Sequence, residues 1–390
     1  MDKPSIGYQL LRKDPGSHAR RGILVTAHGT VQTPVFMPIG TLGAVKGLHA
    51  HTVESLGAEM ILANTYHFMI RPGAEVVSKV GGLHRFMAWD RPILTDSGGY
   101  QVFSLSSLNR IDDNGVVFSS HVDGKSFEMN ARIATRIQNQ LGADVIMCFD
   151  QCTPFPAEQR DLEVAVERTI RWARQCQEAH NRPDQMLFGI VQGGIDMALR
   201  RYCTQALVDL DFPGYAIGGL SVGEGHDHMI RTVANTAPLL PEGRPRYLMG
   251  VGTPADIVAA VRAGVDMFDC VLPTRNGRNG YAFTGAGPLR LRNSVHTDSP
   301  LPVEADCDCL CCRTYTRAAI RHFLNCGEML GPILLSIHNI RFFQRLMSTL
   351  RLQIEQGTFS SWADRFLTES PWTPSDPHQG NDLENRVLKD

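Results

Sequence analysis

The sequence predicts an α/β fold of the (β/α)₈, or TIM, barrel type, and three observations support this prediction. Eight short apolar runs each end at a glycine or a polar residue, helical patterns separate several of them, and a helix–glycine–strand unit recurs. The runs are residues 34–40, 60–64, 93–96, 145–150, 187–192, 215–219, 247–250 and 267–269. Uninterrupted apolar runs are typical of parallel strands covered on both faces. An open doubly wound sheet is the alternative, and the count of eight favours the barrel.

The recurring unit indicates where helices end and strands begin. Gly57, Gly142 and Gly264 each stand three positions before the start of an apolar stretch. A glycine in this place commonly ends a helix by adopting the left-handed conformation. Helices that alternate with strands in this way predict a parallel sheet. The clearest helical face has one residue per turn and consists of Leu162, Val166, Ile170 and Ala173.

Two insertions and the chain ends depart from the alternation. Residues 116–127 predict a β-hairpin that turns at Asp123 and Gly124, after the third strand. Residues from about 276 to 345 predict a zinc-binding subdomain inserted after the eighth strand, within a single catalytic domain that spans 1–372. The first 30 residues predict antiparallel strands that close the bottom of the barrel. Residues 373–390 predict a flexible tail.

Composition narrows the functional classes. A hydrophobic content of 43% and a charged content of 20% are those of an ordinary globular protein. The first residues lack the pattern of a signal peptide, and no apolar run approaches the ~18 residues that span a bilayer, so a cytoplasmic protein is expected. Because the net charge is −2, binding of nucleic acid would require a local basic patch.

The predicted strand ends carry the residues best suited to chemistry. The carboxyl ends of barrel strands build the active site, and here they offer Asn64, Asp96, Asp150, Gln192, Gly219, Gly250 and Asp269. A single aspartate at a strand end could merely cap the next helix, but three beside glycines favour a site. Two carboxylates can displace a group at a sugar C1′ with retention, one as nucleophile and one as proton donor and acceptor. The amides and the third carboxylate could bind the edge of a planar heterocycle.

A cysteine cluster predicts a metal centre. Cys307, Cys309 and Cys312, followed by His338, provide the ligand set of a closed structural zinc site. Local disulfides and redox chemistry at Cys311–Cys312 are the alternatives, and spacing alone favours His338 over His322 only weakly. A set of four protein ligands leaves no open position, so the zinc is expected to stabilise the insertion rather than to catalyse. Arginines are frequent around this segment and predict a basic wall for a phosphate backbone: Arg275, Arg278, Arg290, Arg292, Arg313, Arg317, Arg321, Arg341 and Arg345.

Five segments together resemble the tRNA-guanine transglycosylase family over nearly the whole chain. They are DSGGYQVF at 96–103, GIVQGG at 189–194, GGLSVGE at 218–224, MFDCVLPTR at 267–275 and the zinc-ligand pattern, all in family order. The resemblance implies that Asp269 is the nucleophile at C1′ of guanosine in the wobble position of tRNA, and that Asp96 is the general acid and base. It also implies a ping-pong reaction with a covalent Asp–tRNA intermediate and net retention.

The resemblance assigns the remaining pocket residues by position. Asp150 would accept hydrogen bonds from the ring N–H and amino group of the base, and Gln192 and the Gly219 N–H would contact its carbonyl oxygen. Tyr100 and Met249 would enclose the ring, and the Leu220 carbonyl would accept an exocyclic aminomethyl group. Glu224 would support alternative orientations of that peptide, and Cys152 and Val222 would line the pocket. On residue type alone, Met249 and Cys152 could be core residues, Tyr100 a loop anchor and Glu224 a surface charge.

Subfamily and partners also follow from the resemblance. Val222, Cys152 and the segment NGRNG at 276–280 are similar to the bacterial enzymes, which insert the queuosine precursor 7-aminomethyl-7-deazaguanine (preQ1). The implied substrates are preQ1, guanine and tRNAs with G-U-N anticodons (Asp, Asn, His and Tyr), bound partly by Arg275 and Arg278. The implied assembly is a homodimer with one structural Zn²⁺ per subunit. A eukaryotic-type queuine transferase and a catalytically silent tRNA-binding subunit are the alternatives. The presence of both Asp96 and Asp269 argues against the silent subunit, and the closed metal set argues against a zinc hydrolase.

Overall fold

A computed structural model describes residues 5–105, 107–120 and 122–372. The predicted tail at 373–390 lies outside the described residues. Numbered along the chain, the strands are β1 (Gly7–Lys13), β2 (Arg20–Thr26), β3 (Gly29–Thr33), β4 (Val35–Met37), β5 (Ile61–Ala63), β6 (Ile93–Thr95), β7 (Ser107–Asp112), β8 (Gly115–Ser119), β9 (Ser126–Met129), β10 (Val145–Met147), β11 (Met186–Val191), β12 (Tyr215–Ile217), β13 (Arg246–Leu248), β14 (Met267–Asp269), β15 (Tyr281–Thr284) and β16 (Gly287–Arg290).

The helices connect these strands and build the C-terminal part of the chain. They are α1 (Ala50–Ser55), α2 (Thr65–Ile70), α3 (Ala74–Lys79), α4 (Gly82–Met87), α5 (Gly99–Leu105), α6 (Ala131–Leu141), α7 (Gln159–Ala179), α8 (Met197–Val208), α9 (His226–Thr236), α10 (Pro254–Arg262), α11 (Leu272–Arg278), α12 (Leu310–Thr314), α13 (Arg317–Cys326), α14 (Leu330–Gln356) and α15 (Phe359–Glu369). Among the described residues, no helix is both long and apolar enough to cross a membrane.

The predicted barrel is confirmed. Its eight strands pair in parallel in the order β4–β14–β13–β12–β11–β10–β6–β5. The ring closes beyond the end of β4, where Ile39 forms a parallel bridge with Leu62 of β5 and the Leu62 N–H donates to the Pro38 carbonyl over 3.0 Å. Closure of this kind excludes the open doubly wound sheet.

Alternation along the strands divides the core into two parts. Val35 and Met37 of β4 point into the barrel and pack with Leu94, Met147 and other inward residues. Phe36, between them, points outward and packs with the apolar faces of the surrounding helices. Both sets are almost fully buried, as expected for parallel strands covered on both faces.

The predicted turns and end strands are also present. Gly57, Gly142 and Gly264 all have positive φ and follow α1, α6 and α10, each just before a barrel strand. β1, β2 and β3 form an antiparallel sheet, and Leu24 and Val31 from this sheet belong to the apolar cluster inside the barrel. The N-terminal sheet therefore closes the end of the barrel that lies opposite the carboxyl ends of the strands.

The first insertion is larger than the sequence predicted, and the second carries the cysteine cluster. The predicted hairpin forms from β8 and β9, in which Ser119 pairs with Ser126, and β7 adds a third antiparallel strand. After β14 come α11, the β15–β16 hairpin and the helices that carry the cysteine cluster. Helix α14 runs from Leu330 to Gln356, through the position at 345 where we placed the end of the zinc-binding subdomain. The division into domains stays a prediction.

Candidate active site and metal centre

Three aspartates and the amide of Gln192 gather at the carboxyl ends of the barrel strands. Asp96 follows β6, Asp150 lies three residues beyond β10, Asp269 ends β14, and Gln192 follows β11. All four side chains are buried, with between 1% and 7% of their surface exposed. Desolvation of this kind favours the neutral form of a carboxyl group. The sequence therefore placed these residues on the correct rim.

Asp96 accepts hydrogen bonds from three neighbours. Asn64 Nδ2 and Gln101 Nε2 donate to its Oδ2 over 2.5 and 2.8 Å, and the Thr65 N–H donates to Oδ1 over 2.8 Å. Burial nevertheless raises the pKa of Asp96 to about 6, and the charge of Asp269 adds to the rise. This carboxyl group can therefore gain or lose a proton near neutral pH.

Asp150 is held between the loop after β6 and the end of β11. Gln192 Nε2 donates to Oδ2 over 2.7 Å, and the Ser97 hydroxyl donates to Oδ1 over 3.3 Å. Burial raises the pKa of Asp150 to about 6. A Cβ at Gly99 would lie 2.9 Å from the Asp150 carbonyl oxygen, so the DSGG segment needs glycine there to pack on this residue.

Asp269 is fixed through one of its two oxygens. The Tyr247 hydroxyl and the Gly250 N–H both donate to Oδ1, over 2.5 and 2.8 Å. Among the described residues no hydrogen bond is made by Oδ2, which leaves that oxygen for an electrophile. Burial raises the pKa of Asp269, and the two hydrogen bonds act against the rise. Sequence reasoning missed Tyr247, because it stands inside an apolar strand and gives no polar pattern.

Gly219 lies against the free acceptor of Gln192. A Cβ at Gly219 would stand 2.1 Å from Gln192 Oε1, and φ at this glycine is +63°. Gln192 Oε1 is buried and has no hydrogen-bond partner among the described residues. Buried polar atoms are seldom left unpaired, so this oxygen and its surroundings have the character of a ligand site. Only glycine leaves that space open.

The peptide between Leu220 and Ser221 is oriented by Glu224. The N–H groups of Ser221 and Val222 donate to the two carboxylate oxygens of Glu224, over 2.5 and 2.9 Å. Because C=O and N–H point in opposite directions across a trans peptide, the Leu220 carbonyl points away from Glu224. Glu224 is 6% exposed, so the alternative that it is a surface charge is wrong.

The other predicted pocket residues vary in exposure. Tyr100 lies near the start of α5 with 49% of its surface exposed, so it is no core residue. Met249, Val222 and Cys152 are half-buried in loops that follow β13, β12 and β10. Burial raises the pKa of Cys152 to about 12, so its thiol is neutral and non-nucleophilic at neutral pH.

A buried arginine lies behind the loops that follow β11 and β12, and the sequence analysis did not predict a role for it. Arg200 is fully buried on α8 and donates to the carbonyl groups of Val191, Gly194 and Gly219, over 2.9, 2.8 and 3.4 Å. Burial lowers its pKa to about 10, so the guanidinium keeps its charge at neutral pH. It thereby ties the loop after β11 to the loop after β12.

The predicted basic wall is only partly available for ligands. Arg275 and Arg278 lie on α11, directly after Asp269, and both are half-buried. Burial and the charge of Arg275 lower the pKa of Arg278. Five other arginines of the wall are bound within the chain: Arg341 to Asp308, Arg345 to Glu304, Arg317 to Pro302 and Val303, Arg292 to Leu324, and Arg321 to Asn293.

The cysteine cluster forms the predicted four-ligand group. One ligand atom from each of Cys307, Cys309, Cys312 and His338 lies within 4.8 Å of the others, and all four residues are buried. His338 Nδ1 is 3.2 Å from Cys312 Sγ. His338 Nε2 donates to the Phe283 carbonyl over 2.7 Å, which leaves the Nδ1 lone pair for a metal.

The alternative ligand, His322, lies elsewhere. It contacts Cys326 one turn away on α13 and is absent from the four-ligand group. The cysteines of the group are free thiols, which excludes the disulfide alternative in this structure. Three thiols and one imidazole with a fixed outer hydrogen bond can hold a metal ion in a closed site.

A second cluster of metal-binding residue types lies at the opposite end of the barrel. Asp144 accepts from His28 and His84, over 2.9 and 3.0 Å, and the two imidazole rings stack with their centres 3.5 Å apart. Each imidazole already uses the ring nitrogen that faces Asp144 for a hydrogen bond. The stacking therefore favours a structural role for this cluster over a metal site.

Comparison with known proteins gives a consistent result. Residues 14–371 match the family model described as queuine tRNA-ribosyltransferase. Proteins with that name from Syntrophobacter fumaroxidans and Pelotomaculum thermopropionicum are 50% and 51% identical, each over 93% of this chain and 98% of the relative. The relative from Nitrosomonas eutropha is 52% identical over 90% of this chain and 97% of its own length.

Proposed function

This chain belongs to the queuine tRNA-ribosyltransferase family, and from that premise we propose that it replaces guanine at the wobble position of G-U-N tRNAs with preQ1. The chain is a tRNA-guanine transglycosylase and hence a pentosyltransferase. The finer proposal rests above all on one observation. Asp269 is held through Oδ1 alone, beside an Asp96 whose pKa of about 6 suits proton transfer.

In the first half of the proposed reaction, Asp269 is the nucleophile. Its Oδ2 attacks C1′ of the nucleotide, and the C1′–N9 bond breaks with its electron pair left on guanine. Protonated Asp96 supplies a proton to the departing base. The Tyr247 and Gly250 donors hold Oδ1 and so fix the direction of the free oxygen. The product is an ester between Asp269 and the tRNA ribose.

In the second half, the incoming base reverses these steps. Ionised Asp96 accepts the N9 proton of the base, the nitrogen attacks C1′, and the carboxylate of Asp269 leaves. Two inversions at C1′ give net retention. One carboxyl group serves both directions because the two half-reactions are the reverse of each other in proton transfer.

The pocket recognises the base through groups that are already oriented. Asp150 accepts from the ring N–H and the amino group, while Gln192 and the Gly219 N–H bind the carbonyl oxygen. To donate to that oxygen, the Gln192 amide uses the donor not engaged by Asp150. Tyr100 and Met249 enclose the ring, because stacking on an aromatic face suits any planar base.

The exocyclic aminomethyl group of preQ1 would bind the Leu220 carbonyl. The hydrogen bonds from Ser221 and Val222 to Glu224 keep that carbonyl directed away from the carboxylate. Val222 and Cys152 bound the space near this group, which is the basis for preferring preQ1 over the bulkier queuine.

We further propose that Cys307, Cys309, Cys312 and His338 hold a structural Zn²⁺, one per subunit. Three thiolates and one imidazole are the donor set of closed zinc sites, and such an ion, when bound, stabilises the fold of its segment without taking part in catalysis. Arg275 and Arg278 would contact the phosphate backbone near the wobble nucleotide. A cytoplasmic homodimer is part of the same proposal.

Incorporation of labelled bases tests the proposal. Unmodified tRNA with a G-U-N anticodon is incubated with the protein and either preQ1 or queuine. Incorporation of preQ1 alone, confined to the wobble position, is expected. Incorporation of queuine would move the chain to the eukaryotic type. Binding of tRNA without incorporation of either base would favour the silent subunit and remove the roles of Asp96 and Asp269.

A further inference from the structure

Two loops of the active-site rim are joined by an ion pair outside the pocket. His226 Nδ1 donates to Asp256 Oδ1 in a short hydrogen bond. The side chains are 28% and 14% exposed, so the contact is partly shielded from water. Asp256 is the largest influence on the His226 imidazole and raises its pKa. Neither residue belongs to the pocket described above.

His226 is attached to the loop that would bind the base. It is the first residue of α9 and follows Gly225, whose φ is 77°. The residues just before it are Gly219, Leu220 and Glu224, which form one wall of the pocket. The position of His226 therefore sets where this loop ends.

Asp256 is attached to the loop that holds the nucleophile. It lies in the first turn of α10, after the loop in which the Gly250 N–H donates to Asp269. Its second oxygen accepts from the Thr253 hydroxyl over 2.6 Å, and that hydroxyl accepts in turn from the Asp256 N–H over 3.2 Å. The carboxylate is thus fixed to the start of its own helix before it reaches His226.

The fold itself does not require this ion pair. Met229 and Val233 of α9 belong to the same buried apolar cluster as Ile257 and Val258 of α10. The two helices also pack directly against each other, so we expect them to stay packed when the ion pair is absent. The charged groups that act on His226 are Asp256 and, more weakly, Asp227 on its own helix.

We propose that His226 and Asp256 are positioning residues that hold the base-binding loop in register with the loop of Asp269. A base seated against Gly219 and Leu220 then has its reacting nitrogen aligned with the ribose carbon on Asp269. Small displacements between reacting groups lower rates strongly. This inference rests on the proposed function, because it assigns the two loops to base and nucleophile.

Exchange of labelled guanine into G-U-N tRNA tests the inference with three variants. His226→Leu removes the donor, His226→Asn keeps a donor near the position of Nδ1, and His228→Leu is a matched control on the exposed side of the same helix. For His226→Leu we expect a KM for guanine raised roughly tenfold and a lower kcat, with the KM for tRNA nearly unchanged. His226→Asn should recover most of the loss, and His228→Leu should behave as wild type.

Two outcomes would overturn the inference while the proposed function stands. One is an active wild type with an unchanged His226→Leu variant, and the other is a KM for tRNA that rises as much as the KM for guanine. If His226→Leu does not fold, Asp256→Ala, which removes the acceptor, replaces it, with the same expected rise in the guanine KM. A wild type that exchanges no guanine would instead overturn the proposed function, and the inference with it.

Discussion

At the scale of single residues, the buried carboxyl groups of the site make the folded state less stable when they are ionised. Asp96, Asp150 and Asp269 are buried, and burial raises the pKa of each. A carboxyl group whose pKa is higher in the folded than in the unfolded chain lowers the free energy of unfolding once the pH exceeds both values. These residues suit their chemistry because they are poorly solvated, and the same desolvation makes the fold less stable.

Asp150→Asn should therefore stabilise the protein at neutral pH while it weakens base binding. The folded pKa of Asp150 is about 6, so its ionised form costs on the order of 2–3 kcal/mol at pH 7.5 and nothing below about pH 4. The substituted amide can pair with Gln192, because Gln192 Oε1 is an unused acceptor. Thermal unfolding at pH 7.5 should give a higher Tm for the variant.

The comparison with wild type at about pH 4.5 distinguishes this cause from improved packing. There the folded wild-type carboxyl group is mostly protonated, so the difference between the two Tm values should fall to less than half of its size at pH 7.5. Asp298→Asn, at an exposed position, serves as control and should change neither curve. A Tm gain of equal size at both pH values would contradict the electrostatic explanation.

Tyr247→Phe should slow formation of the covalent intermediate. The Tyr247 hydroxyl lowers the pKa of Asp269, so its loss raises that pKa and leaves less of the ionised nucleophile at a given pH. We expect a rate roughly 10- to 100-fold lower and an acid limb of the pH profile displaced to higher pH. The adduct with tRNA is followed on denaturing gels.

Tyr215→Phe is the matched control for that variant. Tyr215 is fully buried on the neighbouring strand β12, and among the described residues its hydroxyl makes no hydrogen bond to a rim carboxylate. The acid limb of the pH–rate profile should move in Tyr247→Phe only. If it moves in both variants, or in neither, the hydrogen bond from Tyr247 does not set the ionisation of Asp269.

The sequence predicted most of the polar residues that the structure brings together at the rim, and the residues it missed share a physical reason. Aspartates at strand ends stand out because a charge interrupts an apolar run. Tyr247 and Arg200 give no such signal. Tyr247 continues an apolar strand, and Arg200 lies on an amphipathic helix, where an arginine is expected. Their roles depend on which chain segments meet in space. His338 was favoured over His322 only by position, and α14 supplies the reason by placing His338 beside the cysteines.

At the scale of elements, prediction succeeded wherever burial on two sides imposes a simple pattern. All eight barrel strands lie within predicted runs or one residue from them, because each needs apolar residues on both faces. Strand β7 was missed: its segment, SLNRID, carries two charged residues and lies at the edge of a small sheet. An edge strand needs only one covered face, so its pattern is weak.

Asp144→Asn should loosen the junction between four elements at the bottom of the barrel. Asp144 accepts from the His28 and Ile93 N–H groups as well as from the two stacked imidazoles, and so joins the β2–β3 turn, α4, β6 and β10. An amide offers one acceptor and would face a donor with its own NH₂. We expect a loss on the order of 2–4 kcal/mol in the free energy of unfolding at pH 7, measured by urea denaturation.

Lowering the pH should reduce the difference in the free energy of unfolding between the wild type and Asp144→Asn. Burial acts to raise the pKa of Asp144, but the hydrogen bonds from His84, Ile93 and His28 outweigh it and hold the pKa below its usual range. A carboxyl group whose pKa is lowered by folding stabilises the protein fully when the pH is above its pKa in the unfolded chain, which is about 3.9. This stabilisation is lost as the pH falls through the pKa of the folded state. A gap between wild type and variant that persists undiminished at pH 3 would contradict this assignment.

At the scale of the whole molecule, α14 connects the four-ligand group of Cys307, Cys309, Cys312 and His338 to the rim that carries the aspartates. His338 on this helix faces the cysteines, and its neighbour Asn339 donates to the carbonyl groups of Pro273 and Tyr281 and accepts from the Phe283 N–H. One turn further, Gln344 donates to the Phe36 carbonyl in barrel strand β4 over 3.0 Å. Pro273 begins the segment that carries Arg275 and Arg278. The position of these arginines therefore depends on a helix that also carries one residue of the four-ligand group.

Cys309→Ser should consequently weaken tRNA binding more than base binding. Loss of one thiolate from a closed set lowers metal affinity, and the free energy of metal binding contributes directly to folding. We expect metal content well below one ion per chain by plasma mass spectrometry, a lower Tm, and a KM for tRNA that rises several-fold more than the KM for guanine. Cys326→Ser, at an exposed cysteine outside the group, is the control for loss of a thiol. Helix α14 contacts both the metal ligands and the segment after Asp269, so metal content and the KM for tRNA test separate points. Full metal content in the variant would show that the ligand set is wrong. A variant that lacks metal yet keeps the wild-type KM for tRNA would instead show that the barrel alone positions Arg275 and Arg278.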